Sequence, residues 1–275
     1  MRKYAWRIYL CLIFAILYIP IITLILFSFN ASSSTAEFTG FSLKWYRALF
    51  DEETRGTTFT ALRNTLILAV LSSVISTVIG TAAAEGIYKM KRRVIRKTVT
   101  SVTNIPMMNP EIVTGMSMML FFVAVASILR TEYETIGFAA MLIAHVTFCL
   151  PYVILSVLPR INELGDSLSE AAMDLGCTPL QAFFKIKLPN IMPGVISGMV
   201  MAFTLSLDDF VISYFVGSSN FQTLPLLIYS MTKKKVTPDM YALSTLIVVA
   251  VFLLLLVSNM KKDKGTSKRA GGKKK

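Results

Sequence analysis

The sequence predicts an all-α membrane protein with six transmembrane helices, and three observations carry that prediction. The 275 residues are 54% hydrophobic and only 16% charged, with a mean hydropathy of +0.62. Soluble domains run at about 45–50% apolar and about 25% charged. Six stretches reach the roughly 20 apolar residues that a hydrocarbon core of about 30 Å demands. The cations gather between alternate stretches, as the positive-inside rule requires. A disordered chain, a disulfide scaffold and an ordinary soluble domain all fit poorly.

The first span is Ile8–Phe29, preceded by Arg2, Lys3 and Arg7. Its apolar run of 22 residues exceeds the roughly 7–15 of a signal peptide, and no clean small-x-small cleavage site follows closely, so it reads as a retained helix. Thr65–Ala84 is the second span, and Ile105–Leu129, interrupted by proline, the third. Ile136–Leu158, Ile191–Val216 and Tyr241–Ser258 complete the set. The connecting loops are too short for a separate globular domain. Residues 1–260 therefore read as one six-helix domain, and 261–275 as a basic tail.

An even number of spans places both termini on one side. With the N-terminus inside, 20 of the 28 cations are inside. Six of these follow the second span (Lys89, Lys91, Arg92, Arg93, Arg96, Lys97) and eight lie in the tail. Lys233, Lys234 and Lys235 fall outside and count against the assignment, yet the bias favours both termini in the cytoplasm. The net charge of +12 is then largely a topology signal, and the tail is expected to be disordered and drawn to anionic membrane lipid rather than to nucleic acid. Cys11, Cys149 and Cys177 have no metal-like spacing and read as free thiols.

The means of covalent chemistry are missing. The sequence holds no Walker A stretch, no Gly-rich phosphate loop and no GxSxG elbow. Its one histidine, His145, lies inside the fourth span, where hydrogen bonding to a neighbouring helix is the expected role. No metal site and no bound cofactor are expected, which leaves transport.

The loop 160–190 is the most informative segment. Ser167 and Glu170 have the spacing of a capping box. Gly176 stands where a helix end needs a left-handed residue. Thr178, Pro179 and Gln181 spell a second box with proline at the first helical position. Lys185 and Lys187 suit the C-terminal end of that second helix. A short helix–turn–helix carrying Leu180, Phe183 and Phe184 should project into the cytoplasm. Its apolar residues either seek a partner surface or pack on the protein's own spans.

Acids at membrane depth are functional candidates by default. The fifth span contains Ser206, Asp208 and Asp209 with no lysine or arginine. Adjacent helical residues point about 100° apart, so both acids share a cavity only if it is wide. Gly194, Gly198 and Ala202 form a small-residue seam, and Asp208 lies roughly 40° off that face, aimed at the bundle interior. A mobile cation would satisfy the pair; the alternative is another helix, or a position near the outer interface. Glu111, after Pro110, is either a second acid on such a path or an interfacial first turn. Glu85 is expected to pair with Lys89. Trp45 and Tyr46, near Glu37, Asp51, Glu52 and Glu53, are an interfacial belt or an acidic, aromatic lip for a cationic ligand.

Three strings carry a resemblance. Glu170-Ala171-Ala172, three residues, Gly176, nine residues, Ile186, one residue and Leu188-Pro189 match the EAA loop of ABC importer permeases. With Ser206-Leu-Asp208-Asp209-Phe210 and Pro106-Met-Met-Asn-Pro110-Glu111, the chain resembles the inner-membrane permeases of spermidine/putrescine importers, of the PotC type. The resemblance implies a type I ABC importer permease fold in a bacterial inner membrane, working by alternating access. It implies a paralogous permease, two ATPase subunits that hold the ATP and Mg, and an extracytoplasmic polyamine-binding protein. Glu170, Ala171, Ala172, Gly176, Thr178, Phe183, Phe184, Leu188 and Pro189 would couple to the ATPase. Ser206, Asp208 and Asp209, with Glu111 and Trp45, would line the solute path. Glu85 matches nothing in the family pattern. A permease for another cationic solute, a self-contained secondary transporter and a membrane scaffold are the competing readings.

Overall fold

A computed structural model describes residues 2–32, 37–49, 52–108, 111–218, 220–233, 240–246 and 248–249. Most of the sixth expected span and all of the 261–275 tail lie outside the described residues, as do Asn109, Pro110, Lys234 and Lys235.

The helices are α1 (Arg2–Ser28), α2 (Lys44–Ala48), α3 (Glu52–Lys89), α4 (Arg93–Met108), α5 (Glu111–Leu129) and α6 (Tyr133–Leu164). They continue as α7 (Ser167–Asp174), α8 (Pro179–Ala182), α9 (Leu188–Asp208), α10 (Val211–Val216) and α11 (Leu224–Lys233), with a π-helical turn Phe183–Lys187 joining α8 to α9. Residues 240–246 and 248–249 are also helical. Five stretches among the described residues are long and apolar enough to cross a membrane: Tyr9–Ser28, Gly56–Lys89, Glu111–Leu129, Gly137–Leu164 and Pro179–Asp208.

The chain divides into two compact units, Met1–Thr58 with Ile228–Lys275, and Phe59–Leu227. In the first, α1 leads into a short closed loop. Asn30 organises it: its side chain donates to the Glu37 carbonyl (2.7 Å) and accepts from the Thr39 amide (2.9 Å). Phe29 stacks on Phe41 with centroids 5.0 Å apart, and the hydroxyls of Ser28 and Tyr46 meet at 2.7 Å.

The second unit is built around α6. Ala140, Met141, Ala144, Phe148, Val153, Val157 and Ile161 run down its buried side. The small residues of α9, spaced four apart, let the two helices close. A Cβ on Gly194 would stand 2.7 Å from Arg160 Cγ and 2.8 Å from the Ser156 carbonyl, and one on Gly198 would stand 3.2 Å from Val153 Cα. The expected seam is therefore a helix–helix contact in which backbones approach at the expense of side chains. Gly80 does the same for α3, where a Cβ would meet Val153 Cγ1 at 2.7 Å.

Three expectations change. The cation-rich segment after the second span is no plain loop, since it enters the helix α4. The fifth span is not one helix to Val216: it stops at Asp208 and restarts at Val211, with Asp209 extended (φ −63°, ψ 122°). The coupling loop runs without a break from Pro179 to Asp208. Pro189 has no N–H for the Lys185 carbonyl, and the wide turn before it accommodates the missing bond.

Candidate functional site

The break between α9 and α10 separates two neighbouring acids. Asp209 is turned inward and is 8% exposed. Its carboxylate accepts from the amides of Ile212 (3.2 Å) and Ser213 (2.9 Å), so it caps α10, satisfying donors that the first turn of a helix leaves free. Its Oδ2 lies 3.5 Å from His145 Nε2. The same imidazole nitrogen is 3.3 Å from Ser213 Oγ, and His145 Nδ1 is 2.8 Å from Ser206 Oγ. Ser206 in turn meets the Ser72 hydroxyl at 2.8 Å. One buried chain of hydrogen bonds thus joins α3, α6, α9 and α10.

Asp208 has the opposite fate. It is exposed, at the carbonyl end of α9, where the helix dipole is negative. Its register on a continuous helix predicted the bundle interior; in this chain it is left exposed. The seam buries Gly194, Gly198, Ala202 and Ser206, and Asp208 stands outside that row. A carboxylate at a helix C-terminus is disfavoured by the helix dipole, and a cation offsets that cost. Phe210 and Tyr214, with ring centroids 5.5 Å apart, follow the break one turn from each other.

The remaining path candidates are distributed. Glu111 is exposed in the first turn of α5, one turn before Gly115, where a Cβ would stand 3.0 Å from Phe215 of α10. It thus belongs to the helix that packs on α10. Trp45 lies in the first unit, half-buried, with its indole donating to the Asn30 carbonyl at 2.7 Å. Lys44 Nζ sits 5.1 Å from the centroid of its ring. The structure brings Ser206 and Asp209 together through His145 and gives Trp45 a role in closing the 37–49 loop. Sequence reasoning missed Ser72 and Ser213 as network members. The available signal was the hydroxyl row Ser72, Ser73, Ser76 and Thr77 within an apolar span.

In the 160–190 loop the second capping box forms as expected. Thr178 Oγ1 accepts from the Gln181 amide (3.3 Å), and Gln181 Oε1 accepts from the Thr178 amide (3.0 Å). Gly176 has φ +88°, and the bonds Cys177 N to Ala172 O (3.0 Å) and Gly176 N to Met173 O (2.9 Å) complete a Schellman end to α7. The first box does not form. Asp166 is the N-cap of α7 without a side-chain bond, and the Ser169 and Glu170 amides bond its carbonyl instead. Ala172 is buried, whereas Glu170 and Ala171 are exposed. Leu175, Leu180 and Phe184 are also exposed, and Phe183 is half-buried against Phe184 at 5.2 Å between centroids. Leu188 and Pro189 open α9. Lys187 does not serve a helix C-terminus, because the helix continues; it is buried beside Glu85.

A bundle of apolar helices around a glycine seam, broken at a carboxylate and continuous with a capped loop, is the build of a membrane-spanning protein. Residues 76–260 match the family described as binding-protein-dependent transport system inner membrane component, and the chain belongs to that family. It is a multi-pass membrane protein. Among its relatives, the putrescine transport system permease protein PotI of Escherichia coli K12 is 39% identical over 247 residues, covering 90% of this chain and 86% of that protein. The spermidine/putrescine transport system permease protein PotC of Haemophilus influenzae is 36% identical over 259 residues, covering 94% and 96%. In fold, the chain resembles a bacterial ABC transporter involved in import of the acidic polysaccharide alginate, with a TM-score of 0.72 and 18% identity over 95% of this chain and 96% of that one.

Proposed function

We propose that this chain is the permease subunit of an ATP-driven importer of polyamines, spermidine or putrescine. It would work with a second permease, ATPase subunits and an extracytoplasmic binding protein. The observation that carries the reading is the exposed Asp208 at the carbonyl end of the broken α9. A charge at membrane depth is costly unless it faces water or a counter-ion, and an exposed acid beside helix carbonyls selects a cation over an anion or a neutral sugar. The names of the relatives supply the chemical class of that cation.

Asp208 is the solute-facing carboxylate, and Phe210 and Tyr214 offer ring faces that attract ammonium groups. Asp209, Ser206 and His145 hold the break that presents it. Glu111 is a second acid on the flanking helix, and Trp45 closes the loop after α1. Both termini are cytoplasmic, as the cation distribution favours. Leu180, Phe183 and Phe184 then reach the ATPase from α8 and the π turn. Gly176 and Thr178 set their angle, Ala171 and Ala172 with Leu188 and Pro189 frame the segment, and Glu170 lies at its elbow. ATP and Mg stay on the partner, which supplies the hydrolysis.

The test is uptake of radiolabelled spermidine and putrescine into cells lacking their own system, with this chain expressed alongside its neighbouring transporter genes. Uptake that needs both this chain and the ATPase is expected. Protein in the membrane with no uptake of either would move the reading to another cationic solute. Uptake without the ATPase would indicate a self-contained transporter.

A further inference from the structure

Glu85 is unused by the solute path and by the coupling surface. Its helical partner is in place, with Lys89 Nζ 3.1 Å from Oε1, but a second cation is closer. Lys187 Nζ lies 2.9 Å from each carboxylate oxygen of Glu85, across 102 residues of sequence. Lys187 is 2% exposed. Its ammonium sits 4.5 Å from the Tyr88 ring centroid and 3.7 Å from Asp166 Oδ1.

The two pairs are not equivalent. The Lys89 side chain is 64% exposed, and a water-facing pair on a flexible stem constrains little. Lys187 is enclosed, and a buried ion pair cannot lose one partner without stranding the other. Its position gives the pair consequence. Lys187 ends the π turn, where the coupling segment becomes a membrane span, and Glu85 stands one turn from the C-terminal end of α3. A cavity of about 230 Å³ opens beside them, lined by Glu85, Lys187, Asp166, Glu170 and Phe183 among others. On that side the junction is not filled by apolar packing, and the Glu85–Lys187 pair is the directional bond that links the loop to α3.

We propose that Glu85 is a positioning residue of the coupling machinery. Through Lys187 it binds α3 to the junction of the coupling segment and α9, so that a push on the loop moves both helices together. This rests on the permease reading above, since it needs an ATPase partner to do the pushing.

The experiment uses the assembled transporter in proteoliposomes and reads solute taken up per ATP hydrolysed, with spermidine as the probe. A purely structural loss lowers uptake and hydrolysis together and leaves that ratio unchanged. Glu85→Gln is expected to lower the ratio about fivefold, the scale on which residues remote from both sites alter coupling. Lys187→Met keeps the apolar stem and leaves Glu85 paired with Lys89; it should lower the ratio equally. It also decides the matter if Glu85→Gln does not assemble. A wild-type ratio in Lys187→Met would overturn the proposal, because Glu85 would then act only within its own helix. A wild-type complex that hydrolyses ATP but takes up no spermidine would sink the polyamine reading instead. The coupling role would then be read from the same two variants as the loss of ATPase stimulation by the binding protein.

Discussion

Two polar clusters are buried in the same unit, and they are built differently. At the α9–α10 break the cluster is made of hydroxyls, one imidazole and one carboxylate satisfied by backbone amides. At the C-terminal end of α3 it is made of ions, with Glu85 between Lys187 and Lys89. The difference lies in what satisfies the buried carboxylate. A bare buried carboxylate is expensive, and the chain satisfies Asp209 with helix amides and leaves its neighbour Asp208 exposed. At Glu85 two long cationic stems converge on one carboxylate, one of them enclosed and the other exposed. The first cluster holds a shape; the second joins two elements.

Substitutions separate these roles, beginning with the largest expected effect. Asp209→Ala removes the cap of α10 and a partner of His145, and should destabilise the solubilised protein by about 3 kcal/mol. Thermal unfolding followed by size exclusion reads this, and an unchanged midpoint would show that the break holds itself. Asp208→Asn should leave that midpoint within experimental scatter yet weaken the apparent affinity for spermidine uptake about tenfold, or ~1.4 kcal/mol. In the loop, Gly176→Ala forces a Cβ into φ +88° and should cost about 1 kcal/mol. Limited proteolysis around 175–180 would report it as faster cleavage. Thr178→Ala loses one side of a capping box on an exposed helix and should cost about 0.5–1 kcal/mol, read by the same cleavage assay as a smaller change.

Much of this was legible in the sequence. Five expected spans contain helices, because about 20 apolar residues in a row leave few other options. Gly176 and the Thr178–Gln181 box were readable because they are local, each within a few residues of its partners. The break at Asp209 was not readable: Leu205 to Ser213 continues a helical register, and the stop depends on a carboxylate turning back to amides three and four residues ahead. The failure of the Ser167 box has a similar cause, since Asp166 took the N-cap position first. Lys187 was missed because its partner is 102 residues away, and no periodicity within α3 or α9 pairs them. The glycine seam was visible as spacing, but that α6 fills it was not.

The most direct measurement sets Asp208→Asn beside Asp209→Ala in the same assembled transporter, with spermidine uptake and melting temperature recorded for each. Asp208→Asn should lose uptake and keep its melting temperature, while Asp209→Ala should lose melting temperature first. If Asp208→Asn transports as wild type while folded, the exposed acid is not on the solute path and the division of labour between the two carboxylates is wrong.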